Sequence, residues 1–188
     1  MCVCVCPHNC ILNRYGAFLG QFGFKKEIGC SHAIYSLRCV IDNYINSGST
    51  VNLCALDLKK AFDKVNHHGL YLNLMDRQIP NGLLSVLEYW YNMCTTCVKW
   101  GNVYSCFFKL KCGVRQRGVL SPYLFACYVD DIVVTLHSSG LGCYYRGMPI
   151  CVILYADDIM LISPSVSGLQ EMLLICEQHL CLLELALN

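Results

Sequence analysis

The sequence predicts an α+β chain, and three features predict it. Two short runs rich in β-branched residues, 150–154 and 159–162, flank Tyr155-Ala156-Asp157-Asp158 and are bounded by Pro149 and Pro164. Such runs read as two buried strands joined by a tight turn. Apolar residues also recur at a period of 3.6 through residues 33–44, 124–136 and 169–183, the mark of helices with one face turned inward. Finally, residues 51–58 form a mainly apolar stretch that ends in an acid, Asp57.

Composition sets the frame for these elements. At 188 residues the chain fits one domain. Hydrophobic residues make up 55% and charged residues 14%, which excludes a disordered chain. No membrane span is expected, because every long apolar window is broken by Asp130 and Asp131, by Asp157 and Asp158, or by Glu171, Glu177 and Glu184. The opening Met1-Cys2-Val3-Cys4-Val5-Cys6-Pro7 has no basic start and no long apolar core, so no secretory signal is read there. The 16 cysteines are therefore expected to be reduced thiols in an intracellular protein, nuclear or cytoplasmic. A net charge of +1 leaves no general basic excess, so any nucleic-acid contact must rest on local patches.

Taken in order, residues 1–14 alternate cysteine with other residues and include His8, a spacing unlike the paired ligands of zinc modules. They are expected to be a disordered terminus. A helix is predicted from Ser31, with Ala33, Ile34, Leu37, Val40, Ile41 and Tyr44 on its apolar face. After the Asp57 strand, Lys59, Lys60 and Lys64 surround the acid with positive charge, while Ala61 and Phe62 supply a small residue and a flat aromatic wall. Leu70, Leu72, Leu74 and Met75 mark a second helix, with His67 and His68 expected as surface or capping residues. A third helix follows at 82–94, with Leu83, Leu84, Leu87, Trp90 and Tyr91 inward.

Residues 96–114 alternate around Gly101-Asn102 and predict a β-hairpin. The polar loop Gly113 to Ser121 then enters a helix through Pro122. Within that helix Tyr128-Val129-Asp130-Asp131 imitates the later acid turn, but its apolar spacing puts both acids on the polar face of a helix. A short strand is expected at 143–145, and Ser167 with Gln170 reads as a capping box opening the last helix.

The acids suggest chemistry. Asp57 and the Asp157-Asp158 pair each end a predicted buried strand, and neighbouring strands would bring three carboxylates together. Like charges about 4 Å apart repel by about 4 kcal/mol at an effective dielectric near 20, so a divalent cation is the natural remedy. Such a cluster suits two Mg²⁺ ions and nucleotidyl transfer.

Residues 55–65 (Ala-Leu-Asp-Leu-Lys-Lys-Ala-Phe-Asp-Lys-Val), then Gly113-Val114-Arg115-Gln116 with Leu120-Ser121-Pro122, then Tyr155-Ala156-Asp157-Asp158, resemble three successive motifs of reverse transcriptases. The likeness is to non-LTR, LINE-type retrotransposons and covers roughly residues 20–188. It implies a right-hand polymerase palm, an antiparallel sheet backed by helices, with a fingers remnant at 15–50 and no thumb. It implies that Asp57, Asp157 and Asp158 hold two Mg²⁺ ions, with Mn²⁺ as a substitute and the Leu58 carbonyl assisting. Lys60 and Ala61 would offer amides to the triphosphate, Phe62 would exclude a ribose 2′-hydroxyl, and Gln116 would contact the incoming nucleotide or template. The implied partners are an RNA template, a DNA primer and a dNTP.

Two departures from that pattern stand out. Arg117 follows Gln116 where the family usually has glycine, and it is expected to crowd the loop. The chain also reads as a fragment that lacks most of the fingers, the lysine usual just beyond Asn188, the thumb and the endonuclease. The alternative reading is a catalytically silent retrotransposon remnant with at most weak nucleic-acid binding. A cysteine-rich metal-binding protein stands last.

Overall fold

The computed structural model describes residues 20–23, 27–116 and 118–188, so the expectations for residues 1–14 and for Arg117 lie outside the described residues. In chain order the elements are α1 (Cys30–Asn46), β1 (Asn52–Asp57), a 3₁₀ turn (Ala61–Asp63), α2 (His67–Asp76) and α3 (Asn81–Met93). Four short strands follow: β2 (Thr95–Thr96), β3 (Lys99–Trp100), β4 (Val103–Tyr104) and β5 (Phe108–Lys109). The chain then runs through α4 (Ser121–Ser139), β6 (Cys143–Tyr145), β7 (Met148–Ile150), β8 (Val152–Tyr155), β9 (Asp158–Ser163) and α5 (Val166–Leu182).

The central sheet is antiparallel, in the order β1-β9-β8. Single bridges extend it at both edges: Leu58 pairs with Leu187 beside β1, and Gln21 pairs with Leu154 beside β8. Side chains alternate across the sheet. Val152, Leu154, Ile159 and Leu161 join the main core with α4 and α5, whereas Ile153 and Ile162 pack with Ala33 and Val40 of α1 on the opposite face. Burial on both faces explains why β8 and β9 read as unbroken apolar runs. The first strand differs from its expectation of a buried strand. Cys54 and Leu56 pack against the main core, but Leu53 is 42% exposed and Ala55 is also exposed, so its second face is open.

The α4 helix is the spine of the main core, with Leu124, Phe125, Tyr128, Val129, Ile132, Val133 and Leu136 all buried as expected. Its acid pair corrects the sequence reading. Asp131 is exposed, but Asp130 is only 6% exposed and accepts a 2.8 Å hydrogen bond from Arg77 Nη2 at the end of α2. Burial lowers the Arg77 guanidinium pKa, and the Asp130 hydrogen bond with the neighbouring acid charges outweighs it, holding it above its ordinary value. A charge at a predicted polar position is thus drawn inward because a partner from another helix meets it.

Other local readings shift as well. Asn66 caps α2 by accepting from His68 N and Gly69 N, so neither histidine is the cap. Leu72, Met75, Leu83 and Trp90 point outward, leaving Leu70, Leu74, Leu84, Leu87 and Tyr91 as the buried positions of α2 and α3. The cap of α5 is Ser165, whose hydroxyl accepts from Gly168 N at 3.0 Å, rather than Ser167. Extended backbone after Pro164 starts the helix two residues early. Pro149 does not bound the acid hairpin; it lies inside β7, which pairs with β6 through a turn with positive φ at Arg146 and Gly147. All described cysteines are free, and burial pushes the Cys151 and Cys176 thiols up to about 12, consistent with inert packing residues. Among the described residues no helix is long and apolar enough to cross a membrane.

Replacing Arg77 with alanine would remove the guanidinium that meets buried Asp130 and is expected to lower unfolding free energy by about 3 kcal/mol in denaturant titration. Burial also lowers the His137 pKa from its ordinary 6.5. The unfolded chain therefore takes up that proton first, and stability is complete above about pH 6.5 and falls as the pH drops below it. A His137→Gln variant should show a flatter denaturation midpoint between pH 7 and about pH 5.

Candidate active site

The acid turn is a two-residue hairpin closed by the pair Tyr155 and Asp158. Ala156, at its first central position, has φ of +60°. Two-residue hairpins place positive φ there and normally use glycine, so alanine costs roughly 1–2 kcal/mol. Packing holds the strained turn from outside. Gly23 lies against it so closely that a Cβ would stand 2.8 Å from Ala156 N. The buried Gln21 fixes that approach, its Oε1 accepting from Gly23 N at 2.8 Å.

The sheet register brings Asp57 directly opposite Asp158. Asn188 N donates to Asp57 O at 3.0 Å, which turns the Asp57 peptide groups away from β9. The two acids thus form a non-hydrogen-bonded pair, the kind in which facing Cα atoms lie about 4.5 Å apart and side chains are closest. Their side chains follow the parity of Ala55 and Met160 and so emerge on the α1 side of the sheet, at an end where both acids are exposed. Asp157 adds a third carboxylate from the turn. Lys59 N donates to Ala186 O, so by alternation the Leu58 peptide groups point back toward β9. The Asn188 side-chain amide also donates to Asp57 Oδ2, a contact the sequence reading did not foresee. Beside the pair, an open hollow of about 280 Å³ is lined mainly by apolar residues, Ala33, Ile34 and Leu37 of α1 among them.

Next to Asp57 the chain reverses. Lys60 takes a left-handed conformation, φ 52° and ψ 42°, and leads into the 3₁₀ turn. Asp63 N and Lys64 N close that turn on Lys60 O and Ala61 O, while the N–H groups of Lys60 and Ala61 take no part in its backbone bonds among the described residues. Ala61 is buried, and Phe62 stacks on Phe125 of α4 at 4.7 Å between centroids. The aromatic wall expected from the sequence is thus clamped by the helix behind it.

The loop before α4 is stapled to this turn. Val114 N donates to Phe62 O at 2.7 Å, and Gly113 N to Val65 O at 2.8 Å. His67 Nε2 lies 2.8 Å from Gly113 O, which gives this histidine a structural role that spacing did not reveal. Gln116 Nε2 donates to Asp63 Oδ1 at 2.9 Å, and the Ser121 hydroxyl donates to Arg115 O. Glycine is required at 113, where φ is +88° and a Cβ would sit 2.7 Å from Asp63 O. The structure therefore brings Asp57, Asp157 and Asp158 to one end of the sheet and Lys60, Ala61, Phe62 and Gln116 to one stapled loop beside it.

The donors present fit a hard cation in kind. They are carboxylate and carbonyl oxygens, and two of the carboxylates come from facing positions of paired strands. Among the described residues, no group of three or more His, Cys, Asp or Glu side chains stands arranged to hold a metal by itself. The three carboxylates expected to converge therefore share one end of the sheet without forming a ready ligand set of their own.

Residues 18–188 match the family model described as reverse transcriptase (RNA-dependent DNA polymerase). A Pol polyprotein of the type-1 retrotransposable element R2 from Popillia japonica is 30% identical over 66% of this chain and 18% of its own length. The corresponding Nasonia vitripennis polyprotein is 29% identical over 88% of this chain and 16% of its own. The chain thus spans less than a fifth of these relatives. In fold it is similar to telomerase from Candida albicans, with a TM-score of 0.68, 13% identity, and coverage of 85% of this chain and 29% of that one. Apo telomerase from Candida tropicalis gives a TM-score of 0.66 at 13% identity, covering 90% of this chain and 32% of that one.

Two outcomes follow from the geometry. Gly113→Ala should lower stability by about 2 kcal/mol or more in denaturant titration, since it combines backbone strain with a clash against Asp63 O. Asp158→Asn should instead raise stability by about 0.5 kcal/mol in the absence of divalent ions, by removing a like charge opposite Asp57. Adding Mg²⁺ should shrink that gain in the same titration.

Proposed function

Because this chain belongs to the reverse transcriptase (RNA-dependent DNA polymerase) family, we propose that it is the palm portion of an RNA-directed DNA polymerase. It would join dNTPs to a primer 3′-hydroxyl on an RNA template. The observation that carries this reading is the pairing of exposed Asp57 with exposed Asp158 at the sheet end, with Asp157 in the adjoining turn.

The three carboxylates, with the Leu58 carbonyl, would hold two Mg²⁺ ions, for which Mn²⁺ can substitute. Held there, such ions would supply positive charge to the oxygens of an in-line phosphoryl displacement. The chain's own groups position the reactants. Left-handed Lys60 begins a tight turn whose Lys60 and Ala61 amides are proposed to meet the triphosphate. Phe62 cannot retreat, since Phe125 backs its ring, so it would leave no room for a 2′-hydroxyl. Gln116, tethered to Asp63, would reach the nucleotide or template from the opposite loop. Asn188 would orient the Asp57 carboxylate by its side-chain hydrogen bond.

Primer extension on RNA by the purified chain with dNTPs and Mg²⁺ or Mn²⁺ tests the reading. Extension is expected for the native sequence and should fall by at least about 100-fold in Asp57→Asn and Asp157→Asn, the range of losses seen when transition-state electrostatics are removed. Phe62→Ala should increase ribonucleotide incorporation relative to deoxynucleotide. Extension that survives both acid replacements would refute the proposal. Extension that appears only after Arg117→Gly would favour the silent remnant and locate its defect in the loop.

A further inference from the structure

Charge is segregated along the chain in a way its net value of +1 hides. Between Glu88 and Asp130 there is no acidic residue, while Lys99, Lys109, Lys111, Arg115 and Arg117 all fall there. The remainder of the chain is correspondingly acidic. Most of this basic stretch is the twin ribbon in which β2 pairs with β5 and β3 pairs with β4. Every residue from 98 to 112 is exposed. Its aromatic side chains are bare too: Trp100 is 85% exposed, Phe107 74%, Tyr104 60% and Phe108 48%.

Such a ribbon needs a reason. A two-stranded hairpin without a packed face is marginally stable in water, and large exposed apolar groups mark interaction surfaces. Lysines interleaved with aromatics, free of acids, suit one kind of partner in particular: the lysines neutralise phosphates while the rings stack on unpaired bases. Lys99 already sits over the Tyr104 ring at 5.4 Å, showing that cation and ring share one surface. The ribbon also stands next to the candidate active site. Only three residues separate Lys109 from Gly113, no more than about 14 Å of chain, and Gly113 is hydrogen-bonded to Val65 in the stapled loop.

We propose that the 95–111 ribbon is a docking surface for single-stranded nucleic acid, gripping an unpaired strand as it approaches or leaves the acid turn. The inference rests on the polymerase reading for the strand's role, but the binding itself does not depend on catalysis.

The chain contains two tryptophans, so a Trp90→Phe background makes Trp100 the sole reporter. Titrating the full chain with a single-stranded oligouridine of about 12 nucleotides should quench Trp100 fluorescence, and a blunt duplex of equal length should quench it less. Replacing Lys99, Lys109 and Lys111 together with alanine should lower the slope of log affinity against log salt by about 2. Trp100→Ala, followed by anisotropy of labelled RNA, should weaken binding about 5- to 100-fold. All of these side chains are exposed, so the thermal midpoint should hold and separate lost binding from lost folding. Unchanged affinity and salt slope in both variants would overturn the proposal. So would quenching by duplex alone, or self-association that Trp100→Ala abolishes while RNA binding persists. The Asp157→Asn variant separates this inference from the polymerase reading. Quenching without extension by the native chain sinks the catalytic reading alone, whereas extension with indifferent ribbon variants sinks only the ribbon.

Discussion

The antiparallel pairing of β1 with β9 carries the candidate site. Asp57 and Asp158 are 101 positions apart in sequence yet stand opposite because Cys54 and Leu56 of β1 must face the main core while Leu161 and Ile159 of β9 do the same. A slip of one residue would turn those side chains to the open face and carry Asp57 away from Asp158. Hydrophobic burial thus sets the position of two like charges that would otherwise repel. The sheet end holds them at a cost met by burial elsewhere, as expected where stability is traded for function.

Around this pair, two further devices restrict motion. The strained Ala156 turn is held by the close approach of Gly23, and the Phe62 turn is locked to the Gly113–Val114 loop by backbone bonds and the Phe125 stack. Tyr128, deep in α4, ties the same region to the chain end: its hydroxyl donates to Leu183 O at 2.8 Å and lies 3.4 Å from Asn66 N as acceptor. The segment 186–188 that follows closes β1's outer edge and reaches Asp57. The Phe62 turn, the acid turn and this edge are therefore parts of one packed unit, and a change in any of them should be felt at Asp57.

The sequence made much of this legible. Continuous apolar runs on both sides of Asp157-Asp158 marked a doubly buried hairpin, and the inward face of α4 followed its period closely, because both signals depend on local burial alone. What escaped it depended on distant partners. Asp130 looks solvated from its helical position until Arg77 arrives from α2, and His67 looks superficial until the Gly113 carbonyl meets it. The open face of β1 was hidden because an apolar composition does not say how many layers cover a strand. Ser165 outcompeted Ser167 as the helix cap through extended backbone after Pro164, a choice between near neighbours that motif spacing does not resolve. Alternation around Gly101-Asn102 predicts the hairpin, but only the structure shows that its rings have no core to enter.

The role proposed for the facing acids is a divalent-metal site that forms once nucleotide is present. Electron paramagnetic resonance of Mn²⁺ titrated into the full chain with a dNTP tests it without requiring turnover. The native protein should take Mn²⁺ out of its free signal in a nucleotide-dependent manner, and Asp57→Asn with Asp158→Asn should abolish this uptake while the fold persists. Equal Mn²⁺ uptake by the native and doubly substituted chains would contradict it.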